Sequence, residues 1–309
     1  MKIAILGLGG VGATVAASLK DAPHELIFIV RGKTKEAINE NGGLKYTTPL
    51  EGSFLIKPAL ATDDETEIGV VDVLFITTKS YSLEQVCSRY EKIIGEHTVV
   101  IPLLNGFAAR RTLAEQYLKD RGTILEGCIY CFSKIISPGV VENYDQLENL
   151  SVHFGLPDGK EIPVAKEVAD LMTKGGLPAI YNQGILETIW KKYMLMCGNS
   201  CALIHFNCDV GTVQDDPKKL EFLVSIQHDL RGLALAAGVN VPEETIAENI
   251  AYLKRANKTA TTSLYRDWRD KLEHSELEWL MGNAVRLAKE LGITIEFVEQ
   301  AYASALAGA

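Results

Sequence analysis

Basic charge is in short supply. Thirty-one Lys and Arg stand against 40 Asp and Glu in 309 residues, leaving a formal net charge of -9. That disfavours nucleic acid and anionic membranes as bulk partners, although it leaves room for a local basic pocket. Long apolar runs are missing as well: no stretch of about 18 apolar residues occurs, so no membrane span is expected. Lys2 followed by "IAILGLGGVG" imitates the start of a signal peptide, but the apolar stretch is short and its glycines follow a pattern of their own. Cysteine is sparse, with six in all: Cys87, Cys128, Cys131, Cys197, Cys201 and Cys208. Cys128 and Cys131 form a CxxC inside the apolar run "GCIYCF", without a second pair or a histidine at zinc-finger spacing. Buried free thiols are expected, and a reducing cytoplasmic setting fits them. No His/Asp/Glu cluster has metal-ligand spacing, so no metal is expected. There is no internal repeat and no low-complexity tract.

What is present is alternation. "KIAILG" (2–7), "ELIFIV" (25–30), "DVLFITT" (72–78) and "TVVIPL" (98–103) read as buried strands. Helical patterns such as 10–20 and 82–94 separate them, which implies a parallel sheet with crossover helices. "GLKYTT" and "SFLIKP" read as an inserted hairpin, and "ILEGCIYCF" and "LSVHFG" as later strands. From about Gly184 the pattern turns helical, over 185–205, 216–238, 242–256 and 275–291, with "PAIYNQG" as the linker. The expected fold is α/β: a Rossmann-type, doubly wound, mostly parallel sheet domain over 1–182, then an all-helical domain over 183–309.

"GLGGVG" spans Gly7, Leu8, Gly9, Gly10, Val11 and Gly12, between the first strand and the first helix. Gly7 suits the tight turn, Gly9 the close approach of a pyrophosphate, and Gly12 close helix–strand packing. Amides at the helix start then face the phosphates. The second strand ends in Arg31, with Lys33 nearby, where an NAD site usually carries an acid. A guanidinium suits a 2'-phosphate, so NADP(H) is the expected cofactor. A solvated strand end is the plain alternative for Arg31.

The paired lysines of "IWKKYMLMCGNS" separate on physical grounds. On a helix, Glu187 and Lys191 form an i,i+4 pair in the favourable orientation, which gives Lys191 a surface partner. Lys192 has Thr188 and Met196 at i±4, Ile189 and Leu195 at i±3, and no acid within reach on its own helix. It either snorkels or lines a cleft that favours its neutral form. In "SELEW", Ser275 and Glu278 fit a capping box, leaving Glu276 at the first helical position without that structural duty.

"TTKSY" puts Lys79 at the carboxyl end of one strand, and "LLNG" puts Asn105 and Gly106 at the end of the next. Together with "IWKK" and "TSLYRDWRDKLEHSELEWLMG", in this order and spacing, the chain resembles the ketopantoate reductase (2-dehydropantoate 2-reductase) family. The resemblance runs from Gly7 to Gly282. It implies an NADP-dependent oxidoreductase that reduces a small-molecule 2-oxo acid, the namesake reaction giving pantoate for pantothenate biosynthesis. It implies Lys192 and Glu276 as catalytic residues and Lys79 and Asn105 as cofactor contacts. Asn105, Lys192, Ser263 and Glu276 would bind substrate. Plain alternatives stand beside these: an exposed strand-end lysine for Lys79, turn chemistry for Asn105, a helix cap for Ser263, and charge near a helix start for Glu276.

The chain departs from the family pattern at Met196 and Ser200, where asparagines are common, and at Leu104 and Val210. Asn199 adjoins the second position, but one residue turns a helix by about 100°. The departures leave open a different 2-oxo acid or an imine as substrate, and a non-catalytic NADPH sensor is a third reading. A homodimer is compatible with the sequence.

Overall fold

The computed structural model describes residues 1–119 and 121–308. The chain divides into two compact units: Met1–Leu104 with Ala109–Ile185, and Asn105–Ala108 with Leu186–Ala309.

The first unit is built on strands β1 (Lys2–Leu6), β2 (Glu25–Ile29), β3 (Leu44–Thr48), β4 (Gly52–Ile56), β5 (Leu60–Thr62), β6 (Val73–Ile76), β7 (Val99–Pro102), β8 (Thr123–Ile124), β9 (Glu126–Tyr130), β10 (Ser133–Ser137), β11 (Val140–Asn143), β12 (Ser151–Gly155) and β13 (Ala179–Tyr181). Its helices are α1 (Gly10–Ser18), α2 (Gly32–Asn41), α3 (Glu65–Ile68), α4 (Leu83–Arg89), α5 (Ala109–Thr112) and α6 (Pro163–Lys174). The main sheet has the order β5-β2-β1-β6-β7-β8. All its pairs are parallel. Strands buried on both faces need unbroken apolar runs rather than alternation. Ile3, Ala4 and Ile5 meet that need at zero exposure. The expected hairpin is β3–β4, antiparallel, inside a second sheet β10-β11-β3-β4.

The expected linker is largely a strand. Within "PAIYNQG", Ala179–Tyr181 pairs in parallel with β12 and closes a three-stranded sheet, β13-β12-β9. Its central Ile180 is 47% exposed, so the apolar signal of an edge strand is weak and reads as linker.

The second unit holds α7 (Ile185–Phe206), α8 (Val210–Asp215), α9 (Pro217–Ala236), α10 (Glu244–Arg255), α11 (Ser263–Arg269), α12 (Asn283–Leu291) and α13 (Glu296–Gly308). Its core packs Trp190, Tyr193, Met194, Cys197 and Cys201 of α7 against Leu223, Ile226 and Leu230 of α9. Gly198 makes the close approach of α9 feasible: a Cβ there would stand 2.2 Å from Gln227 Nε2. Gln227 is fully buried and spends its amide inside the core. It donates to the Met194 carbonyl and accepts from Asn249. Helices α8, α11 and α13 carried too little periodic pattern to be expected in full. Among the described residues no helix is long and apolar enough to cross a membrane, and no group of three or more His, Cys, Asp or Glu could hold a metal ion. All six cysteines are free thiols; Cys131 and Cys208 are only half-buried.

Candidate active site

The glycine turn sits at the carboxyl end of β1, where parallel sheets place their ligand crevices. Gly7 has φ +96°, a conformation that favours glycine, and a Cβ there would meet Thr78 Cγ2 at 2.9 Å. At Gly12 a Cβ would fall 2.0 Å from the Gly7 carbonyl oxygen, so α1 could not close onto the turn. At Gly10 it would meet the Ser133 carbonyl oxygen at 2.6 Å. Gly9 differs: nothing lies within 4 Å of its would-be Cβ, so its backbone faces open space. That space belongs to a cleft of about 260 Å³, lined by Gly7, Leu8 and Gly9 on one side and by Ser82, Gln85, Val86 and Arg89 of the α4 region on the other. Thr78 Oγ1, also lining it, is buried without a hydrogen-bond partner. A bare backbone turn, helix amides and an unused buried hydroxyl fit a phosphate-bearing ligand.

Arg31 lines the same cleft, and its Nη1 donates to Gln85 Oε1 at 3.4 Å. Lys33 is exposed on the first turn of α2. Lys79 is exposed beyond β6, at the start of the turn Ser80–Ser82.

In the helical unit, Lys191 and Lys192 part as their helix phase requires. Lys191 Nζ lies 2.7 Å from Glu187 Oε1, with both side chains more than a third exposed. Lys192 is only 7% exposed, and its Nζ donates to Asn105 Oδ1 at 3.1 Å. Asn105 is held in turn: the Trp279 indole Nε1 donates to its carbonyl oxygen. The next residue, Gly106, has φ +98°, and a Cβ there would lie 3.1 Å from that same indole nitrogen. Phe107 stacks on Trp190 with ring centroids 4.5 Å apart. The turn chemistry expected of Asn-Gly is therefore real, and it presents the asparagine amide to Lys192. Sequence reasoning gave Trp279 no role, since its contact with Asn105 spans 174 residues.

Glu276 is 4% exposed, and its carbonyl accepts the Leu280 N–H at 2.9 Å. The capping box expected around it does not form. Ser275 Oγ accepts only the Leu277 N–H, at 3.4 Å, while the Glu278 carboxylate turns to Arg286 and the Tyr302 hydroxyl. Two strong donors from α12 and α13 outcompete one backbone N–H. The expected single helix over 275–291 opens instead with a π-helical turn, Glu278–Gly282.

Ser263 is the exposed first residue of α11 and not its cap. The cap is Thr262, whose Oγ1 accepts the Tyr265 N–H at 3.2 Å. Thr262 also meets Ser200 Oγ at 2.9 Å, and Ser200 lies 2.8 Å from the Met196 carbonyl. Ser200 thus ties α7 to the start of α11.

Family models match almost the whole chain: "Ketopantoate reductase PanE/ApbA" over residues 3–158, and "Ketopantoate reductase PanE/ApbA C terminal" over 184–307. The chain belongs to the ketopantoate reductase family. Among relatives, the uncharacterized oxidoreductase YkpB of Bacillus subtilis is 23% identical, covering 98% of this chain and 97% of its own. The crystal structure of 2-dehydropantoate 2-reductase from Porphyromonas gingivalis is 26% identical with a TM-score of 0.83, covering 98% of both chains. A ternary structure of D-mandelate dehydrogenase with NADH and anilino(oxo)acetate shares the fold at 20% identity and a TM-score of 0.83, covering 100% of this chain and 98% of its own. Ketopantoate reductases are NAD(P)-dependent oxidoreductases; the fold they share with the mandelate enzyme hosts more than one substrate.

Proposed function

We propose that this member of the ketopantoate reductase family reduces a 2-oxo acid to the 2-hydroxy acid with NADPH. The first candidate substrate is 2-dehydropantoate, giving pantoate for pantothenate and coenzyme A biosynthesis. The observation that carries the reading is the hydrogen bond from the buried Lys192 to Asn105. An ammonium only donates, so Asn105 turns Oδ1 toward it and carries Nδ2 on the other side of the amide. Nδ2 then donates to the substrate carbonyl oxygen, and Lys192 delivers a proton to that oxygen as negative charge grows there. A bound nicotinamide supplies the hydride. Ser263 helps hold the substrate from the start of α11, and Glu276 accepts a hydrogen bond from its distal hydroxyl. Lys79 borders the nicotinamide.

The preference for NADPH rests on Arg31, turned onto Gln85 beside the glycine cradle, with Lys33 near it. The test is dinucleotide oxidation with 2-dehydropantoate as acceptor, using NADPH and NADH in turn. A kcat/KM at least tenfold higher with NADPH is expected; comparable values would remove the preference. NADPH binding without turnover of any oxo acid would point to a sensor.

A second reading, the same chemistry on a different 2-oxo acid or an imine, has one observation in its favour. Ser200 is occupied within the protein, and Met196 is apolar, so neither offers a polar contact to substrate. A panel of 2-oxo acids decides between the two: a kcat/KM highest by far for 2-dehydropantoate ends the second reading.

A further inference from the structure

In the helical unit a groove of about 480 Å³ runs between α9 and α10. Val224 and His228 of α9 wall one side, and Ile246, Ala247, Ile250 and Ala251 of α10 wall the other. Glu243, just before the first turn of α10, and Lys254, in its last turn, also line it. No residue assigned above to cofactor or substrate does. At 100° per residue, Glu243, Ala247, Ile250, Ala251 and Lys254 fall within about 100° of one another on α10. Thr245, Asn249 and Leu253 turn the opposite side into the core. Glu244, Glu248 and Arg255 border the groove face, exposed like Glu243 and Lys254. Among the described residues none of these five charges makes an ion pair. Acids at the start and bases at the end of a helix suit its dipole. The dipole gives no reason for the alanine and isoleucine face left open between them.

We infer that this face is covered by a second copy of the chain, docked through α10 in an isologous, two-fold contact. Two antiparallel α10 helices, centred on the middle of the seam, set Glu243 of each copy opposite Lys254 of the other. In the same register Ile250 meets Ala247 of the other copy, and Ile246 meets Ala251. Each large side chain thus faces a small one, as close packing requires. A slip of one turn sets Lys254 against Ala247 in one direction, or Glu243 against Ile250 in the other. A parallel pair would set Glu243 against Glu243. The bordering charges keep the same order, with acids toward one end and Arg255 at the other. Charge and size therefore select one orientation and one register. The seam spans about 16.5 Å, small for a specific interface, so a Kd on the order of micromolar is expected. The inference does not depend on the reductase reading.

Sedimentation equilibrium over about 0.5–100 µM protein measures the association. Wild type should pass from monomer to dimer within that range. Lys254→Glu turns both attractive ends repulsive and should raise Kd at least about tenfold. Ala247→Arg takes the space that Ile250 of the other copy needs and should do the same. The double variant Glu243→Lys/Lys254→Glu restores opposite charges at both ends and should return Kd to within about threefold of wild type. All three positions are exposed, and far-UV circular dichroism checks that each variant keeps its helices. A wild type that stays monomeric throughout would give the groove to another occupant and overturn the inference. So would a dimer whose Kd moves by less than about threefold in both Lys254→Glu and Ala247→Arg, since it would form through another surface. A double variant no tighter than Lys254→Glu would also overturn it, because antiparallel pairing of these charges requires the rescue.

Discussion

The two units prepare for ligands by opposite means. The sheet unit offers backbone: a glycine turn, helix amides and one unused hydroxyl, with its cationic side chains left at the surface. The helical unit offers side-chain charge, with Lys192 and Glu276 both more than nine-tenths buried. A backbone cradle is local, six residues at one strand end, and needs only the absence of Cβ atoms. Buried charge is costly unless partners are supplied. Here partners come from far along the chain: Asn105 lies 87 residues from Lys192, and Trp279 lies 174 residues from Asn105. The first kind of site tolerates change around it; the second depends on a whole assembly.

Lys192→Ala is the sharpest way to test that contrast. It should lower kcat by about 10²- to 10⁴-fold, the range for a lost general acid. Dinucleotide affinity, carried by the other unit's cradle, should stay within about twofold of wild type, since no cradle atom is touched. Single-turnover rates and a fluorescence titration of NADPH measure the two separately. A parallel loss in both would mean that the units do not divide the work this way.

A buried carboxyl in the sheet unit provides the counter-case. Glu126, at the start of β9, is 7% exposed, and burial raises its pKa from 4.5 to about 7 despite the nearby Arg110. Its folded state therefore holds a proton that the unfolded chain gives up. Stability is highest below pH 4.5 as far as this group is concerned, falls as pH rises toward 7, and levels off above it. The gap corresponds to a loss on the order of 3 kcal/mol at pH 8. Glu126→Gln should recover most of that at pH 8 and little at pH 4.5, as read by urea denaturation at both pH values. Equal effects at the two pH values would show that Glu126 is not the titrating group.

The same contrast explains what was legible in the sequence. β1, β2, β6 and β7 are continuous apolar runs, and the glycine spacing is a local pattern, so the sheet and its cradle could be read directly. The Glu187–Lys191 pair was legible for the same reason, being set by helix phase alone. Trp279 on the Asn105 carbonyl was not, because nothing local to either residue signals the other. The capping box at Ser275 failed through the same kind of blindness: Arg286 and Tyr302 take the Glu278 carboxylate from positions no local motif includes. The strand Ala179–Tyr181 was hidden because its edge position leaves it half-exposed.

A smaller effect tests whether stability and substrate affinity are linked in the helical unit. Thr262 Oγ1 caps α11 and joins Ser200 of α7. Thr262→Ala should cost about 1–2 kcal/mol, as lost caps do. Because Ser263 begins the helix that Thr262 caps, KM for the oxo acid should rise with the loss while NADPH affinity stays fixed. Thermal unfolding and steady-state kinetics give both numbers. A destabilised variant with unchanged KM would mean that Ser263 does not hold substrate.

The smallest effect is expected next door to the largest. Lys191 and Glu187 make a surface ion pair with 35% and 45% of their side chains exposed. Such pairs are screened by water and salt and contribute about 0.3–0.5 kcal/mol. Lys191→Ala should therefore lower stability by no more than about 0.5 kcal/mol, with the difference shrinking in 0.5 M salt. Its kcat should match wild type, and the double variant Lys191→Ala/Lys192→Ala should be no slower than Lys192→Ala alone. Two lysines adjacent in sequence and about 100° apart on one helix would then differ by orders of magnitude in their effect on turnover. If Lys191→Ala instead cost tenfold or more in kcat at unchanged stability, helix phase would not be what selects the working lysine, and the Lys192–Asn105 hydrogen bond would have to be explained as packing.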